Sequence, residues 1–252
     1  LRTLWRIPTF RKLLLARFIS NYGNGLAPIA LAFGVLGLKD ATPSTLSIVM
    51  AAQMFPMVLF MLFGGVLADR YPRALIVGVS DIVLSLFVVF NGVSFLTGNA
   101  TLMSLATVAV ISGTLNALWW PAFSGLVPEV VEEELLQSAN SVIGLGSNMS
   151  NVAGTVTGGF IVATFGAGWG LIGDGATFFA AGILVFQLRS LSTKREGGET
   201  SPTVLQDLLH GWKEFSSRRW VVAVVAGYTI VAMLFESVFG VVGPVHAKEI
   251  LG

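Results

Sequence analysis

The chain has 252 residues, 54% hydrophobic and only 12% charged, with a net charge of +1 and no cysteine. A soluble domain carries about 25% charged residues, so this chain has too few to clothe a water-facing surface, and the bilayer is its expected solvent. The absence of cysteine excludes disulfides, thiolate nucleophiles and thiolate metal sites, and the two histidines, His210 and His246, lie far apart in sequence.

Runs of about 20 mostly apolar residues predict membrane spans. They fall near 13–38, 44–68, 74–97, 101–127, 137–165, 168–188 and 220–243. Lys39-Asp40 with Pro43 separates the first two, and Asp69 to Arg73 separates the second from the third. Thr97-Gly98-Asn99 is a polar turn, and Pro128-Glu129 with Glu132-Glu133-Glu134 reads as an acidic loop. Gly166-Ala167-Gly168 is a minimal turn. The break from Ser190 to Arg219 is polar and charged. Within it, Val204, Leu205, Leu208, Leu209, Trp212 and Phe215 recur at helical spacing, which predicts a short amphipathic helix on the membrane surface, with a solvated linker as the alternative.

Orientation follows from lysine and arginine, which concentrate on the cytoplasmic side. With the N-terminus inside, Arg2, Arg6, Arg11, Lys12, Arg17, Arg70, Arg73, Arg189, Lys194, Arg195, Lys213, Arg218 and Arg219 fall at or near that side, thirteen of fifteen cations. Only Lys39 and Lys248 fall outside.

Polar and small residues within the spans are the candidate functional positions. Gly146, Ser150, Gly154 and Gly158 recur every four residues, with Gly159 adjoining, and predict a face where two helix backbones approach closely. Asp81, Asp174 and Glu236 are ionisable groups inside spans, where charge is expensive and usually faces a cavity or a partner. A carboxylate kept from water in this way is a candidate proton carrier or cation-binding group, although Asp81 could instead be a structural acceptor between helices, Asp174 could be partly hydrated beside the outer glycine turn, and Glu236 stands on a helix of an incomplete half. Asn21, Asn24, Gln53 and Asn116 are candidate cavity-lining residues or interhelical hydrogen-bond partners. Trp119-Trp120-Pro121 reads as an interfacial aromatic anchor. No phosphate-binding loop, metal-ligand cluster or nucleophile–base pair is evident, so no enzyme, cofactor or nucleic-acid role is expected.

The segment Gly65-Val66-Leu67-Ala68-Asp69-Arg70-Tyr71-Pro72-Arg73 resembles the loop between helices two and three of the major facilitator superfamily, departing at Pro72 and Ala74. The stretch Ser150 to Gly159 resembles that family's helix-five antiporter pattern, with departures at Ser150 and Thr155. Pro121-Ala122-Phe123, Leu126 to Glu129 and Leu135 to Asn140 are similar to a bacterial exporter subgroup that includes macrolide-efflux and enterobactin-export permeases. In that subgroup an acid often stands in helix one near Asn24, which cannot titrate.

The resemblance implies an all-α membrane protein. Residues 1–190 would form a six-helix N-terminal half built of two inverted three-helix repeats, 191–219 a cytoplasmic linker, and 220–252 the seventh transmembrane helix with the start of an outer loop. It further implies a fragment of a twelve-helix transporter, working in a bacterial inner membrane against a C-terminal half outside this chain. Asp69, Arg70, Arg73 and Glu129 would form a cytoplasmic gate. Proton-coupled efflux of small amphipathic molecules is the leading expectation. Nutrient uptake by the same fold, or a non-transporting receptor or assembly subunit, are the alternatives.

Overall fold

The computed structural model describes residues 3–39, 41–189, 213 and 216–251; the side chains of Leu62, Glu236, Ser237, Lys248, Glu249 and Leu251 are outside that description. All regular structure among these residues is helical. The linker and amphipathic helix expected over 191–219 lie almost wholly outside the described residues. The chain divides into two units, Leu1–Lys194 and Arg195–Gly252.

The first unit holds six long helices: α1 Pro8–Leu36, α2 Pro43–Arg70, α3 Arg73–Leu96, α4 Leu102–Val130, α5 Leu136–Phe165 and α6 Ala167–Phe186. Local chemistry sets their ends. Pro8 and Pro43 open α1 and α2, where a missing N–H costs nothing. At the start of α4, the Thr101 hydroxyl accepts from the Ser104 amide while Ser104 Oγ accepts from the Thr101 amide, a reciprocal cap. The turn between α5 and α6 is the single residue Gly166 at φ 90°, a conformation that side chains disfavour. The acidic loop expected at 128–134 begins later than predicted. α4 runs through Pro128 to Val130, so Glu129 sits on the helix. A proline this near a C-terminus removes one ladder bond without ending the helix.

With such short connections the helices alternate in direction. One end gathers the start of α1, the α2–α3 turn, the α4–α5 turn and the end of α6. Lys12 Nζ donates to Gln187 Oε1 at 3.3 Å across that end. α1 packs on α5 and α6, while α4, its counterpart in the second three-helix set, packs on α2 and α3; α3 and α6 pack on each other. Exchanging the two sets preserves this pairing, as an inverted repeat requires.

Close backbone approach carries the three main pairings, as expected where lipid removes the hydrophobic drive between helices. In α1·α5, Cβ atoms at Gly154 and Gly25 would strike the Tyr22 and Asn151 carbonyl oxygens, and Gly158 would press on Leu26. Ser150 Oγ donates to the Phe18 carbonyl oxygen, and Thr157 Oγ1 donates to Tyr22 OH at 2.7 Å. The predicted stripe therefore faces α1. Gly146 and Gly159 are looser: a Cβ would lie 3.7 Å from Phe18 and 4.0 Å from Ile29, ordinary contact distances.

Five helical runs among the described residues are long and apolar enough to cross a membrane: Pro43–Met61, Arg73–Leu96, Leu102–Val130, Ala167–Phe186 and Arg219–Ala247. α1 and α5, with 29 and 30 residues, are long enough but carry more polar and small residues. They are the two helices joined by the glycine seam. The protein is an integral membrane protein.

The second unit contains α7 Arg219–Glu236, a π-helical turn Ser237–Val242 and α8 Gly243–Leu251. The predicted span 220–243 thus crosses from α-helix into a π turn. Glu236 is the last residue of α7, and its side chain lies outside the described residues.

Candidate functional site

A polar cavity lies within the six-helix unit, and it has two lobes. The larger, about 300 Å³, is lined by Arg17, Ser20, Asn21 and Asn24 from α1, Gln53 and Met57 from α2, Asp81 from α3, Asn116, Trp119 and Trp120 from α4, and Phe178 from α6. The smaller, about 100 Å³, shares Asn24, Gln53, Asn116 and Phe178 and adds Asp174, Asn91 and Ser112. The four amides singled out in the sequence all stand in its walls. Asn21 Nδ2 donates to the Arg17 carbonyl oxygen at 2.8 Å and to Ser147 Oγ at 3.2 Å, and Asn116 Nδ2 donates to the Ser112 carbonyl oxygen at 2.9 Å.

The two carboxylates enter from α3 and α6. Both are 2% exposed. Close packing positions them. Gly182 of α6 leaves room for Asp81, whose Cβ would lie 3.0 Å from a Cβ at that glycine, and Gly23 of α1 leaves room for Asp174 Oδ1. Asp174 Oδ1 has no hydrogen-bond partner within the protein, and neither do Asn91 Oδ1, Ser20 Oγ, Arg17 Nε or Trp119 Nε1. All five belong to residues lining one lobe or the other. Buried polar atoms are normally satisfied, and the unmatched ones cluster on the residues around this cavity.

Arg17 corrects the sequence reading. Grouped there with the interfacial cations, it stands nine residues inside α1, about 13 Å along the axis. Its Cζ lies 4.7 Å from the Trp119 ring centroid, 5.4 Å from Trp120 and 4.9 Å from Phe123. Trp119 and Phe123 stack at 4.7 Å with planes 7° apart. Trp119 is therefore no interfacial anchor; it is 6% exposed and holds the guanidinium against α4. A cation–aromatic contact of this desolvated kind contributes on the order of 2 kcal/mol. The signal was present: Arg17, Ser20, Asn21 and Asn24 are spaced to share one helix face.

The residues expected to form a gate meet at the end of the bundle where α2, α3 and α4 converge. Arg73 Nη1 donates to the Gly125 carbonyl oxygen at 2.7 Å and lies 3.4 Å from Glu129 Oε1; Nη2 lies 3.3 Å from Asp69 Oδ1. Gly125 makes this seat possible, because a Cβ there would occupy the place of the guanidinium. Arg70 is exposed at the same end. Among the described residues, no group of three or more His, Asp or Glu side chains is placed to hold a metal ion.

The profile of the Major Facilitator Superfamily matches residues 13–252. The chain belongs to that superfamily. It is similar to the uncharacterized MFS-type transporter YfiS of Bacillus subtilis, 26% identical over 176 residues, covering 70% of this chain and 41% of that protein. It is similar to the enterobactin exporter EntS of Citrobacter koseri, 26% identical over 164 residues, covering 64% of this chain and 39% of that protein. The same exporter in Escherichia coli O1:K1 is 27% identical over 164 residues. The chain thus spans about 40% of the length of these relatives.

Proposed function

We propose that this superfamily member serves as the cavity-bearing part of a secondary active transporter that exports small amphipathic molecules by alternating access, in exchange for protons. The observation that carries the reading is the pair of buried carboxylates, Asp81 and Asp174, lining a polar cavity inside an otherwise apolar bundle. Charge at that depth is costly and is kept for ion or substrate paths. Asp81 and Asp174 are the coupling candidates, and Asn24, Gln53 and Asn116 line the path where the two lobes meet. The similarity to proteins named as enterobactin exporters favours the outward direction.

In this reading the Arg73 cluster with Asp69 and Glu129, flanked by Arg70, is a gate on the cytoplasmic side. The positive-inside rule supports that orientation. Arg6, Arg11, Lys12, Arg70, Arg73 and Arg189 gather at the end of the bundle bearing the cluster, whereas Lys39 lies in the α1–α2 connection at the other. The membrane would be a bacterial inner membrane, with the N-terminus in the cytoplasm. Rocking of two halves about the cavity needs a second bundle, and the working partner would be the remaining length that the relatives possess.

Vesicles prepared inside-out from cells expressing the protein test the mechanism. Solute accumulation should require an imposed pH gradient and collapse when an ionophore dissipates it. Accumulation that persists without the gradient would remove proton coupling.

A further inference from the structure

We propose that the larger lobe is a binding subsite for an oxyanion, a carboxylate or phenolate, carried on a planar apolar body, with Arg17 as its charge partner. The inference deepens the transport reading and rests on it only in calling the ligand a substrate.

Arg17 is unusual among the buried charges of this bundle. Aromatic faces hold its guanidinium, not a carboxylate. Asp81 lines the same lobe and interacts with it electrostatically, yet the two make no ion pair within 4 Å; among the described residues both salt bridges belong to Arg73. Arg17 Nε has no partner. One turn further along α1, Ser20 Oγ also lines the lobe without a partner, at 2% exposure. The Trp119 N–H interacts with Asp81.

Arg17 and Ser20 line one space together with Asp81 and the side-chain amides of Asn21, Asn24, Gln53 and Asn116, beside the apolar and aromatic faces of Met57, Trp120 and Phe178. Polar groups set beside aromatic faces in one cavity suit a small molecule that has both a polar and an apolar part. Arginine is the side chain suited to it. It is weakly hydrated, it stacks on rings, and its planar fork matches a two-oxygen anion. The guanidinium offers five donors, enough for a ligand oxyanion and Asp81 to share it. Asp174 lines only the smaller lobe and does not oppose an anion at Arg17 directly. A purely structural Arg17, clamping α1 to α4, explains the ring contacts but gives no use for Nε and Ser20 Oγ.

The full chain in lipid nanodiscs, titrated calorimetrically with 2-naphthoate, 2-naphthamide and 2-naphthylmethylamine, tests this. The three probes share a ring and differ in charge, so partition into lipid is controlled with empty discs. The expected result is that naphthoate binds roughly tenfold more tightly than the amide or the amine, that Arg17→Gln abolishes the preference, and that Arg17→Lys retains part of it. Ser20→Ala, which leaves the aromatic clamp untouched, should weaken naphthoate selectively even if Arg17→Gln fails to fold. Equal binding of naphthoate and naphthamide, a preference for the amine, or a preference that survives Arg17→Gln would overturn the proposal. The two readings fail separately. Gradient-driven solute flux without anion preference leaves transport standing and sinks the subsite. Arg17-dependent naphthoate binding without flux does the reverse.

Discussion

Arg73 Nη1 lies 2.7 Å from the carbonyl oxygen of Gly125, a residue 52 positions away on a different helix. A charged donor on a backbone acceptor is worth roughly 1.5–3 kcal/mol, more than the exposed Asp69 contact beside it contributes. The Asp69 carboxylate is 68% exposed, and exposed pairs contribute about 0–1 kcal/mol. Gly125→Ala should therefore disturb this junction more than Asp69→Asn, because the new methyl displaces the guanidinium from all its contacts at once. Thermal unfolding in detergent should show Gly125→Ala lower by about 1–3 kcal/mol and Asp69→Asn unchanged within about 0.5 kcal/mol. The opposite ranking would mean that the ion pair, not the carbonyl seat, holds Arg73.

The α1·α5 seam makes a sharper contrast. A Cβ at Gly154 would collide with the backbone oxygen of Tyr22, whereas one at Gly159 would sit 4.0 Å from Ile29. Gly154→Ala has to push two helices apart and should cost about 1–3 kcal/mol, as overpacking does. Gly159→Ala should be neutral or slightly stabilising, since alanine is the better helix former by about 1 kcal/mol. Melting temperatures of the two variants check this directly.

Topology is testable because the chain has no cysteine. Asn99 and Glu133 are exposed residues in turns at opposite ends of the bundle. In intact cells a membrane-impermeant maleimide should label Asn99→Cys at once and Glu133→Cys only after permeabilisation. The reverse pattern would invert the orientation and move the Arg73 cluster to the outside.

Asp81→Asn and Asp174→Asn keep side-chain shape while removing the titratable group. Each should abolish gradient-driven solute accumulation in inside-out vesicles while leaving the chain folded and inserted. A variant that retains full accumulation marks its aspartate as structural.

The helices were legible because proline, glycine and charge punctuate apolar runs: Pro43, the 69–73 knot, Gly98 and Gly166 each stand where a helix starts or ends. Asn24, Gln53 and Asn116 stood out as amides amid apolar neighbours. What could not be read was which helices meet. The stripe at Ser150, Gly154 and Gly158 announces a close contact but carries no address, and Tyr22 and Leu26 become its partners only through tertiary pairing. Arg17 was missed for a related reason. A cation six residues beyond Arg11 looks like one more member of a basic terminus until the helix is seen to begin at Pro8 and Trp119 is seen to cover it. Trp119 and Trp120 misled in the same way, since a membrane-interface belt and an aromatic clamp draw on the same residues.

Solute can travel through the space between these helices only if that space admits water. Gln53 lines both lobes, while Leu86 on α3 is 62% exposed on the apolar outer surface. A small hydrophilic thiol reagent reacts with the thiolate, which forms only where water reaches. Cysteine at each position, introduced singly in membranes, gives the most direct measurement. Gln53→Cys should be modified readily and Leu86→Cys hardly at all. If Gln53→Cys reacts no faster than Leu86→Cys in a folded protein, the cavity is a dry packing defect and the transport path lies elsewhere.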